Sequence, residues 1–274
     1  MIYDDTNCTL GEGGLWHPTR KTFYWFDIIS RRLHTKGKHW QFEDYVSAAG
    51  WVDDDTLLIA SSRGLFTFDL ETGKRTDVAA LEADNPVTRS NDGRADPQGG
   101  FWIGTMGIRL EPKLGAIYRY YRGEVRKLFP DISISNAICF TPDGTRAFFG
   151  DTAQKKIFRV GLDADGWPSG APEVHIDMTG TGLNPDGAVV DMDGNLWNAQ
   201  WGASRVACYG PDGAFLHAVA FPALQTSCPA FGGEGLHDLF CTTAAEGLPG
   251  GEHEGRTYVQ TTTATGQAEH RVVL

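Results

Sequence analysis

Positive charge is scarce in this 274-residue chain: 24 lysines and arginines stand against 35 aspartates and glutamates, a formal net charge of −11. Such an acidic surface repels phosphate backbones and anionic headgroups, so neither nucleic acid nor a membrane is expected as a partner. A cationic ligand stays compatible with it. Long apolar runs are missing too, and none approaches the roughly 18 residues that span a bilayer. The opening MIYDDTNCTLGEGG has neither the basic start nor the apolar stretch of a secretory signal, which points to the cytoplasm. Cysteines number only five (Cys8, Cys139, Cys208, Cys228 and Cys241), with no C-x-x-C pair and no zinc-finger spacing to histidines. Reduced, buried thiols are the expectation. The nucleophile elbow G-x-S-x-G, the phosphate loop G-x-x-x-x-G-K-S/T and the zinc motif H-E-x-x-H are all absent. The eight histidines are scattered; His17 reads as a structural or rim residue, and the run GGEHEGR from Gly250 as a solvated loop.

What the chain has is aromatics and turns. It holds 15 Phe, 8 Trp and 34 Gly, with few helical stretches and many short apolar runs between turn clusters, an all-β pattern. One phrase recurs: a loop, a short strand, a polar turn and a second strand rich in aromatics. The second strands begin at Phe23, Thr56, Phe101, Arg146, Asn195 and Asp238, so successive starts lie 33, 45, 45, 49 and 43 residues apart. Each is followed by segments of period-2 alternation, such as Leu65, Phe66, Phe68 and Leu70 before the turn Glu71-Thr72-Gly73. A period near 45 fits a four-stranded propeller blade. Six units predict a six-bladed β-propeller of four antiparallel strands per blade, a single domain over residues 1–274. A β-sandwich, the alternative, gives no reason for the period. Ring closure by early and late strands removes a long sheet edge, and the terminal EHRVVL (269–274) is the expected closing strand beside the N-terminal segment.

The segment NPDGAVVDMDGNLW (184–197) carries two Asp-Gly pairs seven positions apart. Asp-Gly marks tight turns, and Asp193-Gly194 takes the hairpin-tip place that Asp143-Gly144 takes in the preceding unit. Asp212-Gly213 is expected as a turn after a fourth strand. Asp186-Gly187 lies on the other side of its first strand, where the chain comes in beside the central channel, and so should aim a side chain at one mouth. Counting six residues back from Pro18, Pro97, Pro142 and Met192 gives Glu12, Asn91, Asn136 and Asp186. In the other two units the count lands near Ser47 and Pro229. Rotational repetition brings equivalent positions together around the axis, so four oxygen-bearing side chains should converge. Two carboxylates with two amide oxygens form a hard ligand set suited to Ca²⁺, Mg²⁺ or Mn²⁺. Taken singly, each residue could merely cap its turn; the alignment of four argues for a site.

These residues resemble the senescence-marker-protein-30, gluconolactonase and regucalcin family of six-bladed propellers. The resemblance is carried by LGEGGLWH near the start, YWFDI, RSNDGRADPQGGFWIGTM, ISNAICFTPDG, NPDGAVVDMDGNLWNAQWG and TSCPAFGGEGLHDLFCTT, over nearly the whole chain. It implies a metal-dependent lactonase acting on sugar lactones such as glucono-, xylono- or arabinonolactone. Its metal ligands fall on Glu12, Asn136 and Asp186, its general base on Asp186, and its substrate-contacting pair on Arg89 and Asn91. One divalent cation is expected, Ca²⁺ first, with Zn²⁺, Mg²⁺, Mn²⁺ or Fe²⁺ as alternatives. The resemblance leaves open a broader esterase or phosphotriesterase, and a non-catalytic calcium-binding propeller. One departure stands out: where animal members carry acidic residues after G-T-M, this chain reads GIRLEPKLG (107–115). That makes Arg109 a further candidate for substrate contact, with tolerance for carboxylate-bearing lactones as its consequence; the alternative is an exposed loop charge that pairs with Glu111. The small-molecule lactone is the expected partner, and a monomer or weak homodimer the expected assembly.

Overall fold

A strand with both faces buried reads as a nearly continuous apolar run, and the second strands do so because each blade is packed between two others. The computed structural model, which describes residues 1–274, contains six such blades. The first comprises β2 (Gly11–His17), β3 (Thr22–Asp27), β4 (Arg32–Thr35) and β5 (Lys38–Gln41). The second holds β6 (Val46–Trp51), β7 (Thr56–Ser61), β8 (Gly64–Asp69) and β9 (Arg75–Ala80). β10 (Thr88–Ala95), β11 (Phe101–Gly107), β12 (Gly115–Tyr121) and β13 (Glu124–Ile132) make the third. The fourth has β14 (Ser135–Phe140), β15 (Arg146–Asp151), β16 (Lys156–Gly161) and β17 (Glu173–Asp177). The fifth has β18 (Pro185–Val190), β19 (Leu196–Gln200), β20 (Arg205–Tyr209) and β21 (Phe215–Ala220). In the sixth, β22 (Gln225–Gly232), β23 (Asp238–Ala244) and β24 (Thr257–Thr261) are completed on the outside by β1 (Ile2–Asp4). All pairings are antiparallel. The only helical elements are two 3-10 turns, Thr152–Gln154 and Glu234–Leu236.

Six apolar clusters fill the six gaps between neighbouring blades. Alternate residues of one strand serve opposite gaps: Tyr24 and Phe26 point to the second blade, Phe23 and Trp25 to the sixth. Each fully buried aromatic contributes on the order of 2–3 kcal/mol, which is why the second strands concentrate them. All five cysteines lie buried and unpaired within this packing. His17 is structural, with Nε2 against the carbonyl of Asp53 and Nδ1 within hydrogen-bond reach of the Thr19 hydroxyl.

Each first strand carries a β-bulge near the end where the chain comes in, between Glu12 and Leu15, Val46 and Ala48, Ser90 and Gly93, Asn136 and Cys139, Pro185 and Ala188, and Thr226 and Pro229. A bulge twists the strand locally and re-aims one side chain. The conformations are demanding: Gly13 follows Glu12 at φ 58°, and Ala137 follows Asn136 at φ 57°. A Cβ at Gly13 would lie 2.1 Å from the Ser47 carbonyl oxygen, so only glycine fits there.

Two expectations need correction. The pair Asp212-Gly213 joins the third and fourth strands of its blade, β20 and β21, and does not follow a fourth strand. Residues 269–274 form no strand; the ring is closed by β1 on β24. The terminal segment instead runs as a strap over the channel end opposite the bulges. Gln267 Nε2 donates to the carbonyls of Phe140 (3.0 Å) and Val190 (2.8 Å), the Val272 amide to Trp51 and the Val273 amide to Gly99. These acceptors belong to four different blades, so the tail cannot pair along one strand. Glycine admits it: a Cβ at Gly50 would meet Val272 Cγ2 at 2.5 Å, and one at Gly99 would meet Val273 Cγ2 at 2.7 Å. Under the strap Arg94 pairs with Glu269, both side chains almost wholly buried.

Candidate active site

The six bulges carry Glu12, Ser47, Asn91, Asn136, Asp186 and Ser227, in blade order, at or within them. In the sixth blade the equivalent position is therefore Ser227, two residues ahead of Pro229. The two serines turn away into the wall: Ser47 Oγ donates to Ser90 Oγ at 2.8 Å, and Ser227 Oγ to the Gly11 carbonyl at 2.5 Å. The other four, all buried, line one cavity of about 380 Å³ together with Arg89.

A directed series of hydrogen bonds runs along this wall. Arg89 Nη1 donates to Asn91 Oδ1 (2.6 Å) and to the Ser90 carbonyl (2.9 Å). Asn91 Nδ2 donates to the Ser135 carbonyl (2.8 Å) and to Asn136 Oδ1 (3.2 Å). Asn136 Nδ2 donates to Thr152 Oγ1 (2.8 Å), which donates to the Pro185 carbonyl (2.6 Å). Glu12 and Asp186 complete the lining. The Gly13 amide donates to Glu12 Oε2 at 3.2 Å, and Asn198 Nδ2 fixes the backbone of Asp186 through its carbonyl at 2.8 Å. Behind them Asp92 is held by the amides of Gly93 and Ile138, both at 2.8 Å.

Neither Glu12 nor Asp186 lies in an ion pair with any basic side chain. Burial, and then the charge of Asp92, push the Glu12 carboxyl up to about 8. Burial, and then the charge of Glu12, raise Asp186 well above the carboxylate range. As a pair they hold a proton at neutral pH in the cation-free protein. Two buried carboxylates with no direct ion-pair partner, beside two amide oxygens, fit a hard divalent cation.

Arg109, the remaining candidate, is exposed on the turn after β11 and does not line the cavity. Its amide donates to Glu111 Oε2 at 2.9 Å, and the residue this turn presents to the cavity is Leu110. Sequence reasoning did not single out Thr152, Lys155, Trp201 or Glu246, which also line it. Thr152, Trp201 and Glu246 follow within two residues of the ends of β15, β19 and β23. Second strands finish at the mouth where first strands begin, so a count made from their ends would have found these residues. Trp201 gives the wall an apolar plate, while Lys155 Nζ has no carboxylate within ion-pair distance.

The sequence profile of the SMP-30/gluconolactonase/LRE-like region matches residues 10–245. An L-arabinolactonase of Azospirillum brasilense is 36% identical over 97% of this chain and 93% of its own length. A pentonolactonase of Haloferax volcanii is 34% identical over 92% of this chain and 87% of its own. Among solved structures, a calcium-binding protein, regucalcin, from Agrobacterium tumefaciens superposes with a TM-score of 0.97 at 41% identity, covering 100% of this chain and 97% of that one.

Proposed function

Because the chain belongs to the SMP-30/gluconolactonase/LRE-like family, we propose that it hydrolyses an aldonolactone, of the glucono-, xylono- or arabinono- type, to the sugar acid. The observation that carries this reading is the convergence of Glu12, Asn91, Asn136 and Asp186 with Arg89 on one cavity. The arabinolactonase and pentonolactonase relatives support the substrate class.

Glu12, Asn136 and Asp186 would hold one divalent cation, Ca²⁺ foremost given the regucalcin neighbour. A bound cation supplies positive charge that ionises the carboxylate pair and polarises a carbonyl. Arg89 and Asn91 hydrogen-bond the ring hydroxyls: Arg89 uses only Nη1 within the chain, leaving its other N–H groups free for a ligand. Asp186, once ionised, takes a proton from the water that attacks the acyl carbon. The ring C–O bond breaks, its oxygen receives that proton to become the hydroxyl, and the acid product loses one proton to solvent. Trp201 offers a flat apolar face to the ring's C–H side.

A purely calcium-holding role leaves the Arg89 guanidinium and a cavity of sugar size without purpose, so catalysis is the better reading. A pH-stat assay decides it. Gluconolactone, arabinonolactone and xylonolactone are offered with and without chelator, beside a simple aryl ester and a phosphotriester. Turnover of a lactone that falls with chelator and returns with added cation supports the proposal. Full turnover in chelator, or turnover of the aryl ester or phosphotriester alone, refutes it.

A further inference from the structure

A carboxylate can meet a cation with either oxygen, but an amide must show its oxygen and hide its nitrogen. Asn136 therefore needs a device that fixes which end faces the cavity. From the hydrogen-bond series on the cavity wall we infer that Thr152 is a positioning residue that locks the amide of Asn136 oxygen-inward. The inference rests on the cation reading of the site.

The two ends of the series decide the orientation. At one end Arg89 can only donate, so the Asn91 atom facing it at 2.6 Å is the oxygen. Asn91 Nδ2 consequently points to the Ser135 carbonyl and to Asn136. A donor arriving there requires Asn136 to answer with Oδ1. At the other end the Pro185 carbonyl can only accept, so Thr152 must give it the hydroxyl proton at 2.6 Å. The Thr152 oxygen is left as an acceptor, and Asn136 must meet it with Nδ2. Both ends demand the same orientation. A flipped Asn136 would set N–H against N–H at Asn91 and oxygen against lone pairs at Thr152.

Thr152 itself is held in place. It opens the 3-10 turn Thr152–Gln154, which is tied down by buried Asp151. Asp151 accepts from the amides of Ser133, Ile134 and Ala153 and from Gln154 Nε2. Because Thr152 bonds Asn136 of the fourth blade and Pro185 of the fifth, it also sets Asn136 in register with the strand that carries Asp186. Such outer partners typically change metal affinity about 10- to 100-fold when lost.

Titration calorimetry of chelator-stripped protein with Ca²⁺ and with Mn²⁺ tests this. Thr152→Val and Thr152→Ala should bind the ions roughly 10- to 100-fold more weakly than the parent. Thr152→Ser, which keeps the hydroxyl, should stay within about threefold of it. Parent-like affinity in both the Val and Ala variants overturns the assignment, as does a Ser variant as weak as Val, since the methyl would then matter and the hydroxyl would not. A parent that binds neither ion fails differently: it refutes the cation reading and this inference with it.

Discussion

Replacing Asp186 by Asn should kill the enzyme and stabilise the protein stripped of cation. In the folded cation-free state burial, and then the charge of Glu12, raise this carboxyl well above its ordinary range, whereas in the unfolded chain it ionises near 3.8. Each unit by which burial raises the folded value towards 7 costs about 1.4 kcal/mol of stability at pH 7. The sign follows: a carboxyl whose folded pKa is raised withdraws stability as pH climbs above its unfolded value. Asn has the same shape and carries no such penalty. The gain should appear at pH 7 as a higher melting temperature and shrink as pH falls through about 4 towards 3, where the parent's carboxyl becomes protonated in both states. Turnover on a lactone should fall by about 10²- to 10⁴-fold, the usual loss when a general base goes. Thermal melts in chelator at pH 4, 5.5 and 7, beside pH-stat rates with cation present, measure both halves. The hairpin-tip variants Asp143→Asn and Asp193→Asn are the controls, and rates within about twofold of the parent are expected from them. A lower cation-free melting temperature for Asp186→Asn at pH 7, or turnover within tenfold of the parent, refutes the reasoning.

Three further outcomes follow from residues outside the carboxylate pair. Glu269→Ala leaves Arg94 buried and unpaired, so it should lower stability by about 3–5 kcal/mol, roughly 10 °C in a melt. Turnover per folded molecule should not change, because the strap lies at the far end of the channel. At the mouth, Lys155→Ala should weaken kcat/KM for a carboxylate-bearing lactone more than for a neutral one, since Lys155 lines the cavity and lacks a carboxylate partner. Arg109→Ala should alter neither; a selective loss there returns the exposed turn to the site.

The repeat was legible because burial on both faces forces aromatic and β-branched residues into every second strand, and that signal survives changes of loop length. Glu12, Asn91, Asn136 and Asp186 were legible for a related reason: a rotational fold turns equal sequence offsets into spatial neighbours. The bulges that aim them were not, since a register shift depends on two strands at once. Closure by an early and a late strand is as expected, but β24 and not residues 269–274 supplies the late one, because that apolar tail looks like a strand and is spent on carbonyls from several blades. Arg109 takes the exposed place of its alternative reading beside Glu111, whose Oε2 accepts its amide proton instead of pairing with its guanidinium, a turn detail that composition does not encode. Thr152 was invisible as well, for its role exists only through hydrogen bonds to residues 16 and 33 positions away.

The pairing of β1 with β24 gives the ring a seam whose two sides lie some 250 residues apart in the chain. Closing it carries a large loop entropy and cannot be rewarded until the intervening blades exist, so it belongs late in folding. Until then β24 has a bare edge and the Tyr3 site against Phe23, Trp25 and Phe240 stands open. The seam is thus where a partly assembled ring would unzip first or pair with another chain. Joining the old ends through a linker and cutting the chain in an exposed turn between two other strands would make that contact local. The channel mouth would be untouched, and only the order in which the ring is built would differ.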